Sequence, residues 1–328
     1  MGFESILGQD HAITSLQKAL RQERMPSAWL FCGPNHVGKF QTALLFAQAV
    51  NCLSTPGNAC GHCDSCRQIE HQSHADVLLV EPQDSDIRID QIRQVGQWVQ
   101  FHPGIGKKRI VIIKSAEKLN KESSNAFLKT LEDPPLSTLI ILLAESTGQL
   151  LETIVSRCQM VRFYYLNPIH VDQILREKFQ LVENDRQFLQ SLAMGQIQED
   201  WINRLDSIRK LHQRLATIMS QSISPQMETL LKHCQEWQST KHNEWGFLLS
   251  LLEFWFRDLR WIQCGLKPEK LFYPTYHREL EQAAVLYTES RITEAFELVI
   301  KTRIDIQNNA NKLLALEHLW LSLKKVLG

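Results

Sequence analysis

Apolar residues in the first half of the chain fall into short unbroken runs separated by helical spacings. Ile13, Leu16 and Leu20 recur on one face and predict a helix over about residues 10–23. Ala28 to Cys32 is an apolar run that enters a Gly-Pro turn, and a helix is expected at about 40–51. Further strands are expected at Val77–Val80, Ile110–Ile113, Leu139–Leu143 and Gln159–Phe163. Between them, Asp90 offers a cap to a helix with Ile92, Val95 and Val99 on its inner face. Another helix at about 121–132 is stopped by Asp133-Pro134-Pro135. Strands that alternate with helices require right-handed crossovers and a mostly parallel sheet.

After about residue 165 the strand signal fades. Asn167-Pro168 is a helix start, with Asn as cap and Pro in the first turn. Short helices are expected to about 205, one of them ended by Gly195, and longer helices from 206 onward. Trp237, Trp245, Trp255, Trp261 and Trp320 are read as filling an all-helical core there. The division is therefore an α/β domain over 1–165, a small all-α domain over 166–206 and a larger all-α domain over 207–328.

Charge narrows the function. Of 328 residues, Lys+Arg number 36 and Asp+Glu number 36. They are balanced in each half, with 16 of each sign up to residue 165 and 20 of each after it. Neither half has the basic excess of a protein that grips DNA by itself. No run approaches a membrane span, and the start Met1-Gly2-Phe3-Glu4 lacks the regions of a signal peptide. A cytoplasmic protein with reduced thiols and no membrane partner is expected.

Two motifs carry chemistry. Gly33-Pro34-Asn35-His36-Val37-Gly38-Lys39 lies between a strand and a helix, the setting of a phosphate-binding loop, with Gly33, Gly38 and Lys39 as its candidate residues. The hydroxyl residue that should follow, a magnesium ligand, is replaced by Phe40, and Thr42 is two helical positions too far on. The acid expected after the Ile110–Ile113 strand is replaced by Lys114-Ser115, and Glu117 comes late and is read as a solvated loop residue. The loop is thus expected to keep its shape and to bind ATP weakly or not at all.

The second motif is Cys60-Gly61-His62-Cys63-Asp64-Ser65-Cys66, with Cys52 upstream. Cys52, Cys60, Cys63 and Cys66 suit one structural zinc ion in a module over 52–66. An iron–sulfur site and redox-active thiols are the alternatives. His62, His71 and His74 are expected outside the ligand set or in solvent, and Cys32, Cys158, Cys234 and Cys264 as core or surface residues.

Several stretches together resemble the bacterial sliding-clamp loaders of the AAA+ class. They are Ile6–Gln9, Ala28–Lys39, Cys52–Cys66, Ile89–Arg93, Asn125–Pro135 and Thr153–Cys158. The sequences Asn125-Ala126-Phe127-Leu128-Lys129-Thr130-Leu131-Glu132-Asp133-Pro134-Pro135 and Ser156-Arg157-Cys158 carry most of the likeness.

The resemblance implies a RecA-like AAA+ domain with a zinc module, a helical lid and a helical collar. It implies a heteropentamer of loader subunits that opens a sliding clamp and places it on primed DNA during replication by DNA polymerase III. In such rings each ATP site is completed by an arginine from the neighbour's Ser-Arg-Cys motif, here Arg157, an arginine finger acting in trans. The lid of an active subunit carries a phosphate-sensing arginine that Gly195-Gln196-Ile197-Gln198-Glu199 lacks. The chain is thus expected to be a subunit that hydrolyses no ATP itself and completes a neighbour's site. A self-sufficient loader ATPase and a zinc-containing DNA-binding protein are the rival readings.

Overall fold

The computed structural model describes residues 2–22, 25–83, 85–220, 244–267, 271–307 and 310–328. Trp237 and Cys234 lie outside the described residues. The chain divides into two compact units, residues 1–198 and residues 199–328.

In the first unit five strands form one parallel sheet: β1 Ala28–Cys32, β2 Val77–Val80, β3 Arg109–Ile113, β4 Thr138–Ala144 and β5 Gln159–Arg162. Their order is β2-β3-β4-β1-β5. The central runs are apolar at every position because both faces are covered. Trp29, Phe31, Ile110, Ile112 and Ile141 pack on one side with α1 (Asp10–Leu20) and α2 (Lys39–Asn51). Leu30, Val111, Ile113, Ile140 and Leu142 pack on the other with α4 (Ile89–Trp98) and α5 (Lys121–Glu132).

Three local expectations are corrected. The Cys-rich segment, for which the sequence offers no helical period, contains a helix, α3 (Asp64–Glu70). A four-residue helix, α6 (Glu152–Val155), precedes β5. Asp90 lies inside α4 and does not cap it. The cap is Arg88, whose N–H is taken by the Gln91 side chain at 2.9 Å. Beyond the sheet, α7 (Pro168–Glu177) starts as expected, with the Asn167 side chain accepting the His170 N–H at 2.8 Å. The helix α8 (Glu183–Ala193) ends in left-handed backbone at Met194 and Gly195.

The described part of the second unit is helical: α9 Glu199–Asn203, α10 Leu205–Ser220, α11 Glu244–Gln263, α12 His277–Leu286, α13 Glu289–Gln307 and α14 Lys312–Leu327. Trp255 and Trp320 are fully buried in it. Trp245 and Trp261 are only half-buried, each with a cation over its ring, Lys312 and Arg257 respectively.

Candidate functional site: an altered phosphate loop, a cysteine cluster and a distant arginine

The loop leaves β1 at the carboxyl edge of the sheet. Gly33 has a positive φ, and a Cβ there would lie 2.2 Å from the Phe163 carbonyl oxygen, so only glycine fits. Gly38 caps α2 in left-handed backbone. Lys39 is buried and its ammonium is turned back onto the loop, donating to the carbonyls of Gly33 and, at 2.6 Å, Pro34. Burial lowers its pKa, and Glu117 and Glu145 work against that fall. Glu117 is therefore not a mere solvated residue: it is half-buried, faces the loop, and accepts the Glu145 N–H at 3.3 Å. Thr42 is spent on the Gly38 carbonyl at 2.8 Å. The Ile197 N–H donates to the His36 carbonyl at 3.0 Å, so the segment after Gly195 meets the loop through backbone.

The two departures from an active loop touch each other. The Lys114 ammonium stands 3.7 Å from the centre of the Phe40 ring and pairs with Glu81 at 2.5 Å. The ring face attracts the cation, and the carboxylate answers its charge. A covalently attached positive charge is thus held beside the residue that follows Lys39, between the Phe40 ring and the Glu81 carboxylate. Seventy-four positions separate Phe40 from Lys114, and nothing in the local sequence announces the contact.

The four predicted cysteines converge. Their sulfurs all lie within 4.8 Å of one another, with Cys60–Cys66 at 3.8 Å and Cys52–Cys63 at 4.0 Å. Four sulfurs about 2.3 Å from a tetrahedral ion stand about 3.8 Å apart, so the cluster fits one metal ion of zinc's size. Backbone N–H groups of Thr55, Cys63 and Cys66 point at the sulfurs of Cys52, Cys60 and Cys63. Burial and the neighbouring thiols push Cys66 up to about 12, while hydrogen bonds from Thr55 outweigh burial and bring Cys52 down to about 6. Such thiols cannot all ionise side by side, and a divalent cation among them removes the conflict. His62 and His71 are outside the set and exposed, as expected.

His74 is neither solvated nor a ligand. It is buried, with Nε2 3.0 Å from the Ser65 hydroxyl and Nδ1 accepting the Asp76 N–H at 3.0 Å. Ser65, within the cysteine motif, also donates to the Asn51 carbonyl at 2.9 Å. Asn51 then binds the backbone N–H groups of Lys107 and Lys108, and the Asp76 carboxylate accepts those of Gly104, Ile105 and Gly106 at 2.7–2.8 Å. A buried polar chain thus ties the cysteine module to the turn before β3, which sequence reading missed because its members are scattered. Burial opposes the charged form of Asp76, but these N–H bonds outweigh it and hold the carboxyl below the usual value. The stability so gained is present above about pH 4 and is lost as pH falls through the lowered value. Asp76→Asn keeps one acceptor oxygen and turns an NH₂ toward N–H donors. It should cost about 2–4 kcal/mol locally, read as lost hydrogen-exchange protection at residues 104–106.

Arg157 stands apart from both. It precedes β5, at the amino edge of a parallel sheet whose carboxyl edge carries the loop. A four-residue strand spans about 13 Å between those edges. The structure therefore separates Arg157 from Gly33, Gly38 and Lys39. Its guanidinium donates to the Thr153 carbonyl at 2.9 Å and pairs with Glu132 at 2.8 Å.

Comparison with known proteins agrees with this arrangement. The sequence model of a family described as DNA polymerase III, delta subunit, matches residues 8–167. The delta' subunit of DNA polymerase III from Bacillus subtilis is 26% identical over 321 residues, covering 97% of this chain and 96% of that one. The tau subunit from the same organism is 37% identical over 162 residues, 49% of this chain and 29% of its own length. In fold, the chain is similar to a gamma subunit-related protein of DNA polymerase III from Thermotoga maritima, with a TM-score of 0.51 at 17% identity, covering 97% of this chain and 100% of that one. Among the described residues no helix is long and apolar enough to cross a membrane. The chain is thus similar along nearly its whole length to one delta' subunit of DNA polymerase III and, over 162 residues, to a tau subunit.

Proposed function

We propose that this chain is the non-hydrolysing, delta'-like subunit of a cytoplasmic sliding-clamp loader. It would join ATP-hydrolysing and clamp-opening subunits in a heteropentamer, lend Arg157 to the adjoining ATP site, and so help place the clamp on primed DNA. The observation that carries this reading is the contact between Phe40 and Lys114, which fills the metal side of the chain's own loop with a fixed cation. The position of Arg157 at the opposite edge of the sheet supports action in trans, since it does not face the loop of its own chain. The four cysteines would hold one structural zinc ion, closed to substrate. Residues 166–206 would serve as lid and 207–328 as collar.

The rival reading is an ATPase in its own right, and a turnover assay separates the two. The isolated chain should show no magnesium-dependent ATP hydrolysis, and Phe40→Thr should not create it, because Lys114 and Ser115 remain. Turnover by the wild-type chain that disappears on Lys39→Ala would overturn the proposal.

A further inference from the structure

We propose that Glu132 is a positioning residue for Arg157: its carboxylate fixes the guanidinium in the orientation offered to a neighbouring subunit's nucleotide. This rests on the reading of Arg157 as a finger donated in trans and assigns the residue that aims it.

The geometry comes first. Nη2 of Arg157 pairs with Oε1 of Glu132 at 2.8 Å, and Nη1 donates to the Thr153 carbonyl at 2.9 Å. The two anchors grip different nitrogens of one planar group, so they fix its plane as well as its place. A guanidinium has five N–H donors, and these anchors engage two of them, leaving the others for an incoming phosphate. Both anchors are themselves rigid. Glu132 ends α5, held by buried Phe127 and Leu131 and stopped by Pro134-Pro135. Thr153 belongs to α6, pinned by fully buried Ile154.

Helix stability alone does not explain a carboxylate at this position. The carboxyl end of a helix carries partial negative charge and favours cations. Glu132 closes α5 and is followed by Asp133, so two acids stand at the unfavourable end. The cation that answers Glu132 comes from 25 residues further along the chain. Nor does the pair add much to the fold. The two side chains are 35% and 52% exposed, and exposed ion pairs contribute little stability. What the contact does supply is direction: a long side chain with many rotamers is held in one.

The test uses the reconstituted loader with its clamp and primed DNA, reading the clamp-loading rate across ATP concentrations. Glu132→Ala should lower kcat about three- to tenfold with little change in KM, because the misaimed guanidinium is needed only in the transition state. Glu132→Gln keeps an acceptor oxygen and should recover most of that loss. In the Arg157→Ala background, Glu132→Ala should add nothing. Unchanged helicity and metal content in each variant exclude misfolding. A wild-type rate for Glu132→Ala, or the same loss with and without Arg157, would refute the positioning role while leaving the finger intact. No effect of Arg157→Ala itself would remove the finger, and with it the role assigned to Glu132.

Discussion

Arg157→Ala should reduce ATP turnover at the adjoining subunit's site by roughly 10³- to 10⁵-fold, about 4–7 kcal/mol of transition-state stabilisation. Phosphoryl transfer gathers negative charge on the transferred group and leaving oxygen, and a guanidinium fixed beside them neutralises it. The chain should keep its fold, metal content and assembly, since among the described residues the Arg157 side chain hydrogen-bonds to Thr153 and Glu132 at the surface. On the proposed reading this chain completes only one of the loader's sites, so total ATPase should fall less than clamp loading. Arg157→Lys should recover little: an ammonium is a compact point charge and cannot hold both anchors and phosphate through a planar fork. Assembly by native mass spectrometry and loading by clamp retention on DNA measure the two halves of the expectation. Normal loading by an assembled alanine variant at limiting ATP would exclude the finger.

Metal removal is the second large effect. Zinc binding to isolated finger peptides is worth on the order of 10–16 kcal/mol, comparable with the whole stability of a domain. About one zinc per chain is expected, and Cys60→Ser or strong chelation should abolish it. The damage should follow the polar chain. Ser65 and Asn51 link the module to His74, Asp76 and the turn at 104–108, so hydrogen exchange should quicken there as well as at 52–70. The strands β1, β3 and β4, each buried on both faces, should stay protected. Less than about half a zinc per chain, or exchange unchanged by chelation, would contradict the structural role.

The strands were legible because burial on both faces writes an unbroken apolar run, and β1, β3 and β4 are such runs. Cysteine spacing was legible because a metal constrains neighbours in sequence. What stayed hidden depends on contacts between distant positions. The helix α3 has too few turns to show a period. His74 is expected around the metal ligands or in solvent, but its burial between Ser65 and Asp76 was not legible, because those partners give no pattern together. Lys114 and Phe40 could each be recognised as a loss, but not as a pair.

That pair also bears on how such a chain could change. Phe40→Thr alone would invite a divalent ion to a place beside an ammonium, which repels it. Lys114→Asp alone would set a new carboxylate near Glu81 with no cation to bridge them, and leave an aromatic ring where a ligand is needed. Each single step back toward a working metal site is electrostatically worse than the present arrangement, so recovery needs concerted change at both positions. If the loop is idle as proposed, an internal charge stands where a borrowed ion would, and no single substitution at either position would bring hydrolysis back.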